Sequence, residues 1–130
     1  MKNKINILIF GTQNDLYEIQ QIINNENYHY DVYEQSKFCE VEKSKYNVVI
    51  VHIQHKDIEN FIKYEIECFD NCPSPVIVLV DKFDTNKLRR LYNTKNIDFA
   101  FVYDFTQDVV KELLIDIINT TLEKNKHRGN

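Results

Sequence analysis

The chain has 130 residues, 43% of them hydrophobic, with 20 Asp and Glu against 16 Lys and Arg. That length makes one domain of ordinary size, able to bury a core without staples. The mildly acidic balance excludes a general attraction to nucleic acid or anionic lipid, and no stretch approaches the ~18 apolar residues of a membrane span. Ile, Asn and Lys are abundant, Ala100 is the one alanine and Trp is absent, a bias of composition that carries no functional information. The apolar run "INILIF" is too short for a signal-peptide core and lacks a small-residue cleavage site. A cytoplasmic location is therefore expected. Cys39, Cys68 and Cys72 are an odd number and are expected to be reduced thiols.

In chain order, the first predicted strand is Ile5–Phe10, ending at Gly11 and the polar stretch Thr12, Gln13, Asn14 and Asp15. Leu16, Ile19, Ile22 and Ile23 then mark one face of a first helix capped at Asn14. Tyr28–Tyr33 alternates and suits an edge strand, and Ser36–Ser44 predicts a short polar second helix. Val48–Ile53 is a continuous apolar strand. Ile58, Phe61, Ile62, Ile66 and Phe69 mark a third helix capped by Asp57, which must end before Pro73 and Pro75. Val76–Val80 is another continuous strand, followed by a fourth helix marked by Leu88, Leu91 and Tyr92. Phe99–Val102 is the last strand. Val109, Val110, Leu113, Leu114, Ile117, Ile118 and Leu122 form the strongest helical stripe, from about Thr106 to Glu123, before the polar tail "EKNKHRGN".

Strands that are continuous rather than alternating are buried on both faces, as in a parallel sheet. Five strand–helix units with short right-handed crossovers predict an α/β, flavodoxin-like (βα)5 fold. The expected architecture is a doubly wound five-stranded parallel sheet in the order 2-1-3-4-5. Ligands of such sheets sit outside the carboxyl ends of the strands. That directs attention to Gly11–Asp15, His52–Asp57, Asp81–Asp84, Tyr103 and Asp104.

The phrases "KYNVVIVHIQ", "SPVIVLV" and "NIDFAFVYDF", in that order before a long last helix, resemble the receiver domain of bacterial response regulators over nearly the whole chain. In receivers an acidic pair after the first strand helps to hold magnesium, and an aspartate ending the third strand accepts the phosphoryl group. By this resemblance Gly11 and Thr12 stand at the acidic pair and His52 at the phosphoacceptor. Val80, or Asp81 one residue on, stands at the hydroxyl position, Tyr103 at the lysine ending the fifth strand, and Ala100 at the aromatic switch. A hard divalent cation wants carboxylate or carbonyl oxygens, and phosphoryl transfer needs that cation and a fixed positive charge. Gly11, Thr12, His52, Val80 and Tyr103 are therefore degenerate phosphorylation-site positions, and the resemblance is to a pseudo-receiver.

Other groupings have plainer readings. His52, His55 and Asp57 have no zinc-site spacing and read as a solvated loop. Cys68 and Cys72 are not a redox C-x-x-C pair and read as buried or half-buried free thiols. "GTQND" is a poor phosphate loop for a flavin or nucleotide, and Asp81, Asp84 and Asp104 would repel a phosphate. Lys87, Arg89 and Arg90 on the fourth helix are either a solvated face or the complement of Asp98, Asp104, Asp108, Glu112 and Asp116. In one large receiver class a basic fourth helix pairs across a two-fold axis with acids on the fifth, and a self-complementary patch is what such an axis requires.

The expectation is a non-phosphorylatable receiver-like regulatory domain in signalling or transcription regulation, spanning 1–124, with 125–130 a tail or the start of a linker. It would act as a homodimer or by docking a protein through the fourth helix, fifth strand and fifth helix. Lys87, Arg89, Arg90, Asp108, Glu112 and Asp116 would form that face. It is not expected to be an enzyme, since no nucleophile–base pair or paired carboxylates occupy matching strand ends. No cofactor, metal or membrane is expected, and DNA would be reached only through an attached output domain. The alternative is a small-ligand sensor using the crevice at the carboxyl ends of the strands.

Overall fold

The computed structural model describes residues 5–11, 28–70, 72–82, 84–102, 112, 115, 116, 118–120 and 123. Expectations for the first helix and its Asn14 cap, for Thr12, Tyr103, Asp104 and Asp108, and for most of the fifth-helix stripe lie outside them.

Five strands form one parallel sheet: β1 (Ile5–Phe10), β2 (Tyr28–Tyr33), β3 (Val48–Ile53), β4 (Val76–Val80) and β5 (Phe99–Val102). Their order is β2-β1-β3-β4-β5, the doubly wound arrangement expected. All five strand spans coincide with the apolar runs read from the sequence. β3 and β4 are buried along their whole length. Successive side chains of a strand point to opposite faces, so an unbroken apolar run signals a sheet covered on both sides.

The two faces make two cores. Leu8, Phe10, Val49, Val51, Val78 and Val80 turn to one, where Phe38, Phe61, Phe69 and Leu91 cover them. Ile7, Ile9, Val48, Ile50, Ile77 and Leu79 turn to the other, where Ile118 packs. Ile118 is helical together with Asn119 and Thr120; Glu112, Ile115, Asp116 and Glu123 are also helical, and Glu112 and Asp116 are exposed. The Tyr28 hydroxyl donates to Asn119 Oδ1 at 3.2 Å, tying that helix to β2.

The connections depart from expectation. The segment Ser36–Ser44 is no α-helix; a short 3-10 turn, Gln35–Lys37, overlaps its start, followed by turns. Too few apolar residues are available there to drive a helix, and Phe38 inserts between Phe10, Phe61 and Phe69. The third helical segment buries Ile58, Phe61 and Phe69 as its stripe predicts. Its pitch, however, changes from 3-10 (His55–Asp57) through a single α turn (Ile58–Asn60) and a π stretch (Phe61–Glu65) to 3-10 again (Ile66–Phe69). Asp57 makes no side-chain cap there. The wider π turn re-phases the stripe so that Phe61 and Phe69 meet in one aromatic cluster, with centroids 5.9 Å apart.

The helix Thr85–Tyr92 is regular. Asp84 caps it by accepting from the Lys87 backbone N–H at 3.1 Å. Leu91 is buried inward, but Tyr92 is 57% exposed and does not belong to the apolar face assigned to it. Four residues after Leu88 a side chain should return to the buried stripe, yet Tyr92 is the last helical residue and its ring faces water.

Cys39 and Cys68 form a disulfide, their Cα atoms 4.9 Å apart. This corrects the reading of both as reduced thiols: Phe38 and Phe69 pack against each other and bring their neighbours together. Cys72 is free and half-buried, as its reading had it. No helix among the described residues is long and apolar enough to cross a membrane.

Candidate site at the carboxyl ends of the strands

Gly11 follows β1 directly and its N–H donates to the Tyr33 carbonyl at 3.2 Å, so the chain leaves β1 braced against the end of β2. His52 is the penultimate residue of β3 and is 2% exposed. Its carbonyl accepts from Gln35 Nε2 at 3.0 Å, which brings the turn after β2 to the end of β3. Ile53 pairs in register with Val80. Val80 is thus the terminal, fully buried residue of β4, and Asp81 begins the loop.

Two carboxylates stand in that loop, and both are engaged. Asp81 Oδ1 accepts from the His55 backbone N–H at 2.6 Å. Asp84 Oδ2 lies 3.0 Å from His55 Nε2, while its Oδ1 caps the Thr85–Tyr92 helix. The His55 hydrogen bond, and then the Lys87 N–H, hold the Asp84 carboxyl below its ordinary value. Lys87 Nζ returns to the His55 carbonyl at 3.4 Å, and Arg90 pairs with Glu59. The loops after β3 and β4 are therefore laced together, with His55 at the centre.

Among the described residues, the ends of β1, β3 and β4 do not make a divalent-cation site of the receiver type. Gly11, His52 and Val80 offer no carboxylate, and Asp81 and Asp84 already accept hydrogen bonds. Among the described residues no group of three His, Cys, Asp or Glu side chains is arranged to hold a metal ion.

The predicted docking face is only partly free. Arg89 is exposed, as are Glu112 and Asp116, whereas Lys87 and Arg90 are occupied within the chain. Asp98 accepts from the Val76 N–H at 2.8 Å and so splices β5 to the start of β4.

Two features escaped the sequence. One is Lys43, buried with its ammonium 5.0 Å from the Phe69 ring centroid and 6.0 Å from that of Phe10. It donates to the Phe38 carbonyl and, at 3.3 Å, to that of Val41. Burial pulls its pKa down from the ordinary lysine value. The other is an open polar cavity of about 550 Å³ lined by Phe69, Asp70, Cys72, Ser74, Lys95, Asn96 and Asp98. It lies at the amino ends of β4 and β5, opposite the crevice where a ligand was expected. The cavity joins two short stretches, residues 69–74 and 95–98, that the spacing alone does not mark as neighbours of each other.

No family model and no curated protein matches the chain. Solved structures do. A CheY-like response regulator receiver domain protein from Methanospirillum hungatei is 15% identical over 97% of this chain and 99% of its own, with a TM-score of 0.68. The chain has the receiver-domain fold. The signal receiver domain of a putative Luxo repressor protein from Vibrio parahaemolyticus is 14% identical over 97% of this chain and 95% of that one, also with a TM-score of 0.68. The Mn2+-bound form of the response regulator Rcp1 is 14% identical, covering 88% of this chain and 91% of its own, with a TM-score of 0.58. At such identities the likeness is one of fold.

Proposed function

We propose that this receiver-fold domain is a regulatory module in signalling or transcription regulation that works without phosphorylation, by pairing with itself or docking a protein. The observation that carries the reading is a buried histidine, His52, next to last in β3, which the resemblance to receivers aligns with the phosphoacceptor aspartate. The surroundings support it, since the loop carboxylates Asp81 and Asp84 serve as hydrogen-bond acceptors for His55 and Lys87. Phosphoryl transfer to a side chain here would lack a carboxylate nucleophile at His52 and a cation clamp at Gly11.

The test is incubation with acetyl phosphate, or with beryllofluoride, in magnesium. Intact mass and amide NMR shifts should stay unchanged. A saturable, magnesium-dependent change in either would overturn the reading.

The docking face extends from the Thr85–Tyr92 helix to the last helix. Arg89 supplies an exposed basic charge, and Glu112 and Asp116 supply exposed acidic ones. Exposed pairs are each worth only ~0.2–1 kcal/mol, so the face acts through several at once and weakens with salt.

A further inference from the structure

We propose that Cys39 and Cys68 form a reversible thiol–disulfide site that governs how tightly the Gln35–Lys37 turn is held beside the end of β3. The inference stands apart from the regulatory reading above and does not depend on it.

Three observations carry it. First, the two cysteines come from different elements, 29 residues apart, and meet at the surface: Cys39 is exposed and Cys68 is half-buried in the Ile66–Phe69 turn. An exchange partner can therefore reach the Cys39 sulfur. Second, the contact beneath them does not need the bond. Phe38 and Phe69, their sequence neighbours, pack edge to face at 5.4 Å, and Phe61 joins them. Opening the disulfide leaves this apolar contact in place, so the thiols stay close enough to close again. Third, the tethered segment reaches the candidate site. Gln35, four residues before Cys39, holds the His52 carbonyl through its amide.

The third thiol is set apart. Cys72 is half-buried, donates to the Ser74 carbonyl at 3.3 Å, and is pushed up by burial. A thiol held protonated is a poor nucleophile, so Cys72 does not compete for the bond.

The chemistry is thiol–disulfide exchange with a low-molecular-weight monothiol and its disulfide. The thiolate attacks Cys39 Sγ and breaks the Sγ–Sγ bond. Cys68 leaves as a thiolate and takes a proton. A second monothiol then attacks the mixed disulfide and releases Cys39 as a thiol. Two monothiols are oxidised to one disulfide, and two electrons and two protons pass to the cysteine pair. The reverse reaction closes the bond.

The full chain is equilibrated in glutathione buffers running from fully reduced to fully oxidised, quenched with acid, alkylated and peptide-mapped. Cys39 and Cys68 should lose alkylation together across the series, while Cys72 stays out of the pair. Both end states should keep the folded circular dichroism spectrum, and amide NMR shifts should differ between them at Gln35, at residues 37–43 and near His52. Cys72→Ser should leave the transition unchanged. The proposal is overturned if the pair stays alkylatable in oxidised glutathione or stays closed in excess reduced glutathione. It is equally overturned if Cys72 takes a place in the bond, if the reduced form unfolds, or if the shifts near Gln35 and His52 do not respond.

Discussion

His55 Nε2 lies 3.0 Å from Asp84 Oδ2, and this contact joins the loop after β3 to the cap of the helix after β4. The same Asp84 carboxylate serves the Lys87 N–H, so one side chain closes a loop and starts a helix. Asp84→Asn keeps an acceptor for the cap but loses the charge. It should lower the melting temperature at neutral pH. Because the folded carboxyl titrates below its ordinary 3.8, its contribution is present above that value and is lost as pH falls through the folded value. The gap between wild type and variant should therefore close in acid. A gap that is constant from pH 7 to pH 2 would show the charge to be irrelevant.

The hydroxyl of Tyr46 donates to Asp31 Oδ2 at 2.7 Å and fastens the connection before β3 to β2. Burial, and then the bond to Asp31, push its pKa well above the ordinary 10.0. A raised folded value means that stability is complete below pH 10.0 and is lost as pH rises above it. Tyr46→Phe should cost about 1 kcal/mol near neutral pH. It should also flatten part of the alkaline decline. Urea titrations at pH 8 to 11 on both proteins make the comparison.

Phe61 is fully buried in the aromatic cluster, whereas Tyr92 is mostly exposed at a helix end. Phe61→Ala should destabilise by roughly 3–5 kcal/mol. Tyr92→Ala should stay within about 0.5 kcal/mol. Chemical denaturation of both variants checks the contrast, and a large effect at Tyr92 would mean that its ring is covered in solution.

The Cys39–Cys68 bond closes a long loop, and for a loop of this size the chain-entropy argument gives roughly 3–4 kcal/mol. Cys39→Ser should lower stability by up to that amount under oxidising conditions. In excess reductant it should match the wild type. A deficit that persists in reductant would place the effect in packing rather than in the covalent link.

Arg89 and Arg90 are neighbours in sequence with different duties. Arg90 pairs with Glu59 inside the chain, and Arg89 is exposed. Under the docking proposal Arg89→Glu shifts sedimentation toward monomer with helix content unchanged. Arg90→Glu should act chiefly on stability, by repelling Glu59. A wild-type chain that sediments as a monomer at high concentration and low salt would remove self-pairing from the proposal.

The strands were legible because burial on both faces leaves an unbroken apolar run, and Val48–Ile53 and Val76–Val80 have no other reading. The strand ends were legible to within one residue, and in the structure Ile53 pairs with Val80, the last residue of β4. The helical connections were less legible. An apolar stripe records which side chains point inward, not the pitch that brings them there, so the π turn at Phe61–Glu65 left no mark in the spacing. Tyr92 matched the stripe by type and position, but no turn followed to bury it. The Cys39–Cys68 pairing joins elements that only the fold brings together. At the candidate site, the strand positions of His52 and Val80, at the ends of β3 and β4, were legible from the apolar runs. The lacing of Asp81 and Asp84 to His55 depends on loop conformations that no local pattern encodes.

The sheet order leaves β2 at one margin. On this strand Tyr28, Tyr30 and Val32 turn to one core, while His29 and Asp31 lie on the opposite side, 3.7 Å apart. A marginal strand has a row of backbone donors and acceptors that another chain could extend, and charged side chains are a common guard against such accretion. With Asp31 held by Tyr46, that guard is fixed in position rather than free to swing aside. The exposed margin of the sheet is thus flanked by two polar side chains, one of them fixed by its bond to the connection before β3.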